Sequence, residues 1–404
     1  MPKKSSQILI KEEKMIRIPE NARIIIKTLE AAGHSASIVG GCVRDALLCR
    51  IADDYDITTS ALPEEIKACF AHTVDTGLKH GTVTVIIDSE PYEVTTYRID
   101  GEYRDSRHPE SVSFTDDIRL DLSRRDFTVN AMAYNERDGL IDFFGGRADL
   151  DAKVIRAVGD PTKRFSEDAL RVLRAIRFAA VLGFDIESET ASALRSFAPS
   201  LSAVSSERIL VEWRKLLGGA ASYEIISEYR DIIEIIIPRL SGFKMPSRER
   251  FLALPADERQ LLLFATSSGK EGFAAAVKSL KMDNKTRDKG LSVLNSLIYR
   301  DSIDECFLRD YMIGRSDADV LAAARVSEAL GICPAGVESR FSALMSEGAV
   351  RSISMLSVGG TELAALGYRG RAIGDELQVL LRAAALGECD NTKEALLSLA
   401  KSHL

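Results

Sequence analysis

Two carboxylates stand two residues apart at Asp54 and Asp56, inside the β-branched run DYDITT (54–59). Side chains on a strand repeat every two residues, so this spacing predicts both on one face. Two hard oxygen ligands on a rigid strand suit Mg²⁺, which takes few protein ligands and leaves the rest of its shell to water and phosphate. Just upstream, Gly40-Gly41 lets backbone approach a phosphate chain with no Cβ in the way. Glu93 lies in the alternating run YEVTTYRI (92–99), a strand that can run alongside. Three carboxylates on adjacent strands can hold two metal ions, one activating an attacking hydroxyl and the other steadying a leaving pyrophosphate. The pattern predicts a centre for metal-dependent nucleotidyl transfer, with Asp54, Asp56 and Glu93 as its acids. The plainer readings are a solvated turn for the Asp pair and a surface position for Glu93. A calcium loop is excluded, because the sixth position counted from Asp54 is Thr59, where that loop demands glycine.

Two further groups carry charge in a pattern. Arg124-Arg125-Asp126 sits between a charged stretch and a well-patterned segment; arginine there can fork onto a triphosphate or ribose as lysine cannot, unless the run is merely solvated. In RFSEDALRVLRAIRFAAVLGF, Ser166 reads as an N-cap with Glu167 and Asp168 in the first turn. Asp168 and Arg171 are then neighbours on one helix face, and Arg174 and Arg177 continue the series. An exposed helix with an internal ion pair is the bland alternative. Against it, Leu170, Leu173, Ile176 and the run from Phe178 to Val181 predict a well-buried helix, so the polar residues border a cleft. Residues 153–177 hold seven Lys/Arg against three Asp/Glu, a basic strip in a chain of net charge −7. A carboxylate beside a guanidinium can also read a base edge. It accepts from the exocyclic amine of cytosine or adenine and meets only a carbonyl on guanine or uracil.

These groups need elements to place them. ENARIIIKTLEAA (20–32) predicts a helix closed by Gly33, SASIV (35–39) a strand, VRDALL (43–48) a helix, and PEEIKACF a helix begun at Pro63. TVTVIID (82–88) and YEVTTYRI (92–99) predict strands joined by a Ser-Glu-Pro turn. Residues 100–121 predict a mobile loop with a short strand at Val112–Phe114, and GLIDFFGG closes the sheet. Beyond Lys153 strands largely vanish, and SSERILVEWRKLLGG (205–219) is a further capped helix. The expected fold is an α/β head with a small mixed sheet, followed by an all-helical remainder. At 404 residues the chain predicts more than one domain. Its six cysteines show no CxxC spacing, so neither a zinc site nor a disulfide framework is expected, and a reducing cytoplasm is. The basic start MPKKSSQILIKEEK has too short an apolar run for a signal peptide.

Taken together, VGGCVRD (39–45), DYDITT (54–59), EVTTYR (93–98), DLSRRDFTVNAMA (121–133) and RFSEDALRVLRAIRF (164–178) resemble the class II tRNA nucleotidyltransferase family, the CCA-adding enzymes and their poly(A) polymerase relatives. The resemblance covers roughly the first half of the chain, and more loosely GGTELAALGYRGRAIGDELQVLL (359–381). It implies a catalytic head (16–150), a helical neck carrying the base reader (151–219), a helical body (220–310) and a tRNA-binding tail (311–404). It implies Asp54 and Asp56 as Mg²⁺ ligands, with Glu93 in the place of a third carboxylate. Gly40, Gly41, Arg44 and Arg125 become nucleotide contacts, and Asp168 and Arg171 the protein template for C or A. Arg174 and Arg177 support that template or bind phosphate. The implied reaction adds C, C and A to the tRNA 3′ end from CTP and ATP. The stretch RIDGEYRDSRHPESVSF (98–114) resembles the flexible loop of enzymes that add the terminal A. An A-adding enzyme with a separate CC-adding partner, a poly(A) polymerase and a non-catalytic tRNA binder are the rivals. A C-terminal metal phosphohydrolase domain is not expected, since the only late histidine is His403.

Overall fold

A computed structural model describes residues 16–101 and 112–404. The chain divides into two compact units, Met1–Ala221 and Ser222–Leu404. The expected flexible loop falls mostly on residues 102–111 and so lies outside the described residues.

The first unit is built on a seven-stranded mixed sheet. Its strands are β1 (Ala36–Val39), β2 (Ile57–Thr59), β3 (Thr73–Gly77), β4 (Thr82–Ile87), β5 (Glu90–Thr96), β8 (Met132–Asn135) and β9 (Gly139–Asp142). β6 (Arg98–Asp100) and β7 (Val112–Phe114) form a separate antiparallel ribbon. The spatial order is β3-β4-β5-β2-β1-β8-β9, with β2 and β5 the parallel pair and every other neighbour antiparallel. β1 (ASIV) and β8 (MAYN) are buried along their whole length, as expected of central strands covered on both faces. α1 (Glu20–Ala31) ends before Gly33, whose φ of +93° gives the left-handed turn that glycine takes at low cost. α2 (Gly41–Leu47), α3 (Pro63–Cys69), α4 (Ile118–Ser123) and α5 (Gly146–Ala152) complete the sheet layer.

Three local expectations need correction. DYDITT is strand only from Ile57, so Asp54 and Asp56 lie in the segment leading into β2 rather than on it. The turn between β4 and β5 is Asp88-Ser89, both at positive φ (51° and 68°), because a two-residue hairpin needs that handedness to match strand twist. The helix drawn from Ser166 is two helices. α6 (Pro161–Glu167) is capped by Asp160, whose carboxylate accepts from Thr162 N, and α7 runs Leu170–Leu182. Asp168 is extended between them (φ −142°, ψ 107°), and its Oδ1 accepts from Leu170 N at 3.0 Å. Ser166 is no cap, since its hydroxyl donates back to Lys163 O inside α6.

α7 is buried at Leu170, Val172, Leu173, Ala175, Ile176 and Phe178–Ala180. It packs against α9 (Ser206–Gly218), beyond α8 (Ser188–Phe197). Gly219 ends α9 where a Cβ would stand 2.5 Å from Ala180 O, so only glycine permits this approach. Phe127 meets Phe178 edge-on, with centroids 5.7 Å apart, fastening the sheet layer to α7. The only strands after Lys153 are the two-residue pair β10 (Val154–Ile155) and β11 (Asp185–Ile186).

The second unit is helical throughout, from Ser222–Glu228 to Lys393–Ser402. Phe264 and Phe273, Met312 and Phe341 are fully buried within it, and a smaller cluster of Val358, Leu363, Tyr368, Leu380, Leu396 and Ala400 gathers near the C-terminus. The buried Glu258 carboxylate takes Arg325 at 2.6 and 2.9 Å. No helix among the described residues is long and apolar enough to cross a membrane.

Candidate active site

β1 and β2 set the floor of the site. Val39 N donates to Asp56 O at 3.0 Å, which fixes the backbone of Asp56 although the strand proper starts one residue later. The parallel register pairs Ile57 with Val94, so the preceding residues, Asp56 and Glu93, come side by side. Both line one cavity of about 130 Å³, with Val39, Ile57, Thr82, Thr95, Arg98, Arg124 and Arg125. Asp54, like Asp56 and Glu93, is exposed, but it does not line the cavity.

Two of the acids, Asp56 and Glu93, are raised. Burial pushes the Asp56 carboxyl above the usual carboxylate range against the pull of Arg125, and Asp54 adds to the rise. Glu93 is raised by burial and then by Asp56 and Asp54. Carboxylates raised by neighbouring acids are short of positive charge, the deficit a divalent cation fills. No group of three or more His, Cys, Asp or Glu among the described residues encloses a metal by itself. Asp56 and Glu93, brought side by side at the cavity, offer oxygen donors of the kind Mg²⁺ takes, an ion whose remaining positions go to water and phosphate.

Gly40 links β1 to α2. It is buried, has φ +82°, and donates its N–H to Met132 O. The positive φ favours glycine there, and a Cβ would stand 2.9 Å from Arg125 Nη1 and displace that guanidinium end. Gly41 begins α2. Arg44, one turn on, forks onto Asp45 (2.9 and 2.9 Å), gives Nη1 to Asn130 Oδ1 (2.6 Å) and lies 5.3 Å from the Phe178 ring centre.

The Arg124-Arg125-Asp126 run divides its work between two directions. Arg124 binds the fully buried Asp121 through Nε (3.0 Å) and Nη2 (2.8 Å). Arg125 lies 3.7 Å from the same carboxylate, and its Nε is buried with no hydrogen-bond partner among the described residues. Burial would raise Asp121, but Arg124 and Arg125 outweigh it and hold the carboxyl below its ordinary range. Asp126 turns the other way, accepting from Arg174 Nε (2.8 Å) and Nη2 (2.5 Å) and from Asn130 Nδ2 (3.2 Å). Burial opposes its charge; Arg174 prevails and holds it at about 2.

The expected pairing of Asp168 with Arg171 is not what the structure shows. Asp168 Oδ2 accepts from Arg208 of α9 at 2.6 Å. Arg171 donates to Glu167 (2.6 Å), to Arg164 O (3.1 Å) and to Arg124 O (3.1 Å). The break in the helix at Asp168 is the physical reason, since the two side chains no longer share a continuous helix face. Arg174 and Arg177 also have partners. Glu212 of α9 takes Arg177 at 2.7 Å and Arg174 at 3.7 Å, and both guanidiniums lie over Phe178 at 3.4 and 5.4 Å respectively. Asp121, Asn130, Arg208 and Glu212 were given no role by the sequence pattern. Their common signal, a charge or amide within a motif block, was present in DLSRRDFTVN and SSERILVEWRK but gave no partner.

A mixed sheet with carboxylates at the mouth of one strand pair, flanked by arginines, defines a nucleotidyltransferase head. Residues 36–156 match the model of the poly A polymerase head domain, and residues 183–241 match that of the probable RNA and SrmB-binding site of polymerase A. The chain is 36% identical to the CCA-adding enzyme of Geobacillus stearothermophilus over 92% of its own length and 94% of that protein's. The crystal structure of the Bacillus stearothermophilus CCA-adding enzyme in complex with CTP superposes with a TM-score of 0.80 at 32% identity, covering 96% of this chain and 98% of that one. The Thermotoga maritima CCA-adding enzyme complexed with tRNA shares the fold (TM-score 0.72, 22% identity, 97% and 99% coverage). The chain belongs to the CCA-adding enzyme family of class II nucleotidyltransferases.

Proposed function

We propose that this chain builds the 3′-terminal CCA of tRNA, with Asp54 and Asp56 holding Mg²⁺ and Glu93 serving as the third carboxylate. The activity adds C, C and A from CTP and ATP and releases pyrophosphate. What carries the reading is the meeting of Asp56 and Glu93 with Arg124 and Arg125 around one cavity, in a chain of this family. When bound, the metal would acidify the attacking RNA 3′-hydroxyl and offset charge on the leaving pyrophosphate. The protein's own part is placement. Gly40 turns the chain and Gly41 leaves backbone open to the phosphates at the start of α2, and Arg44 and Arg125 contact the nucleotide, Arg44 already fixed by Asp45 and Asn130. Arg174 and Arg177 support the reader from behind through Asp126, Glu212 and Phe178.

Asp168 and Arg171 read the base. Arg208 and the backbone of Leu170 hold the Asp168 carboxylate, which keeps lone pairs for an exocyclic amine. Glu167 and two carbonyls hold Arg171, leaving its remaining donors for the ring acceptor of C or A. The residue ranges 16–150, 151–219, 220–310 and 311–404 serve as head, neck, body and tail, the last three gripping the acceptor stem by backbone and A-form shape. Six free cysteines suit a reducing cytoplasm.

One experiment tests the reading. The protein is incubated with tRNA lacking CCA, tRNA ending in CC, and a generic RNA, giving CTP and ATP singly and together with Mg²⁺. Extension by CCA on the first and by A on the second is expected. Extension of the second alone makes it an A-adding enzyme, A-tailing of generic RNA a poly(A) polymerase, and no extension a binder. Asp54→Ala should abolish incorporation with the fold intact; retained turnover would sink the metal assignment.

A further inference from the structure

Arg44 is held by groups of two kinds. Asp45, the next residue on α2, takes its Nε and its Nη2 at 2.9 Å each. That fork belongs to the same helix, so it fixes the guanidinium against α2 and against nothing else. Two further contacts come from outside α2. Nη1 donates to Asn130 Oδ1 at 2.6 Å, and the guanidinium lies 5.3 Å from the Phe178 ring centre. Asn130 stands just ahead of β8 and Phe178 on α7, and these two set Arg44 in space.

Asn130 is suited to that task. It is buried, and both ends of its amide are used, Oδ1 by Arg44 and Nδ2 by Asp126 Oδ1 at 3.2 Å. The reverse orientation would set its nitrogen against a guanidinium and its oxygen against a carboxylate. An aspartate would bring a second charge against Asp126, so the position calls for an amide. From Asp126 the partners continue through Arg174 to Glu212 (3.7 Å), which also takes Arg177 at 2.7 Å. Arg44, Arg174 and Arg177 all gather on the buried Phe178 ring, at 5.3, 5.4 and 3.4 Å from its centre. A ring face attracts a cation without consuming its N–H groups. The bonds to Asp45 and Asn130 use one N–H of each terminal nitrogen of Arg44, and Nη2 lies 3.6 Å from where a Cβ on Gly41 would stand.

We propose that Asn130 and Phe178 are positioning residues that hold Arg44 against α7, so that it meets the incoming nucleoside triphosphate at a set distance from Asp168 and Arg171. This rests on the reading of Arg44 as a nucleotide contact. The base readers have anchors of their own in Arg208 and Glu167. Loss of the positioning pair therefore weakens the grip on C and A alike and leaves the choice of base as it was.

The test uses the full chain carrying Phe178→Leu, Phe178→Tyr, Asn130→Ala or Arg44→Met, and Arg44→Met combined with each of Phe178→Leu and Asn130→Ala. Calorimetry measures the Kd for CTP and for ATP with Mg²⁺; extension of tRNA lacking CCA measures the choice of CTP over UTP; thermal melting checks the fold. Phe178→Leu and Asn130→Ala should each raise both Kd values about fivefold with the choice of base unchanged. Phe178→Tyr, which keeps the ring face, should stay within about twofold of wild type. In the Arg44→Met background neither change should weaken binding further, because both act through that guanidinium. Losses that add in the combined variants show a general effect on packing and overturn the proposal. So does a shifted choice of base in a folded variant, an equal loss in the Leu and Tyr variants, or unchanged Kd values in Phe178→Leu and Asn130→Ala. Should Phe178→Leu fail to fold, Asn130→Ala alone and with Arg44→Met decides by the same coupling. An Arg44→Met chain that binds CTP normally brings down the nucleotide contact and the proposal with it. A wild type that never extends tRNA, yet shows the coupled CTP losses, brings down the proposed function and leaves the positioning pair standing.

Discussion

At the scale of single residues, acids of the same type do different work because their neighbours differ. Asp56 and Glu93 stand side by side at one cavity and are raised; Asp126, equally acidic in sequence, is clamped by Arg174 and held at about 2. The first two are poised for a cation, and the third is already neutralised. Asp126→Asn should therefore act on stability, because the half-buried Arg174 loses its nearest counter-charge. A loss of about 1–3 kcal/mol is expected for a charged hydrogen bond broken from one side, read as a lower urea midpoint. An unchanged midpoint would mean the pair contributes nothing. The reader residues make the contrasting prediction. Asp168→Ala or Arg171→Ala should relax the choice of C and A over G and U while the chain stays folded. Wild-type rejection of UTP and GTP at a normal rate would refute the template role.

Elements decide where those residues can stand, and here the sequence was legible in parts. The α1 helix with its closing Gly33, the Pro63 start of α3, and the strand at Val112–Phe114 follow from local chemistry, and the structure has them. The break at Asp168 was hidden, because an Asp two residues before a helix and an Asp inside one read alike until the backbone shows which N–H it caps. Partners such as Arg208, 40 residues from Asp168, have no local signature at all. The α8 helix offers a test of capping. Glu187 accepts from the N–H groups of Glu189 (3.0 Å) and Thr190 (2.8 Å). Burial works against its charge, yet these bonds bring the carboxyl from 4.5 down to about 2. A depressed folded-state value stabilises the fold fully above about pH 4.5, and that contribution fades as pH falls toward about 2. Glu187→Ala should cost about 1–2 kcal/mol near pH 7, as other N-cap losses do. The gap from wild type should close as unfolding is measured from pH 6 down to pH 3. A gap that stays constant would show that the carboxylate's charge plays no part.

For the whole molecule, the division of labour follows the division of the chain. Every acid, arginine and glycine assigned to nucleotide or metal lies between Gly40 and Arg177, inside the unit Met1–Ala221, and that unit has its own sheet, helices and buried core. The helical unit Ser222–Leu404 contributes none of them and has separate cores of its own. With a net charge of −7, the chain gains no general attraction to RNA, so affinity for tRNA must come from local surfaces and shape. A fragment of residues 1–221 should thus fold and bind CTP with Mg²⁺ within a few-fold of the full chain, since no contact of the reader is removed. Its KM for tRNA should rise far more than its Kd for CTP. Calorimetry and extension assays on the fragment and the full chain measure both. Loss of CTP binding in a folded fragment would show that residues beyond Ala221 shape the nucleotide site, and an unchanged KM for tRNA would strip the helical unit of its proposed grip.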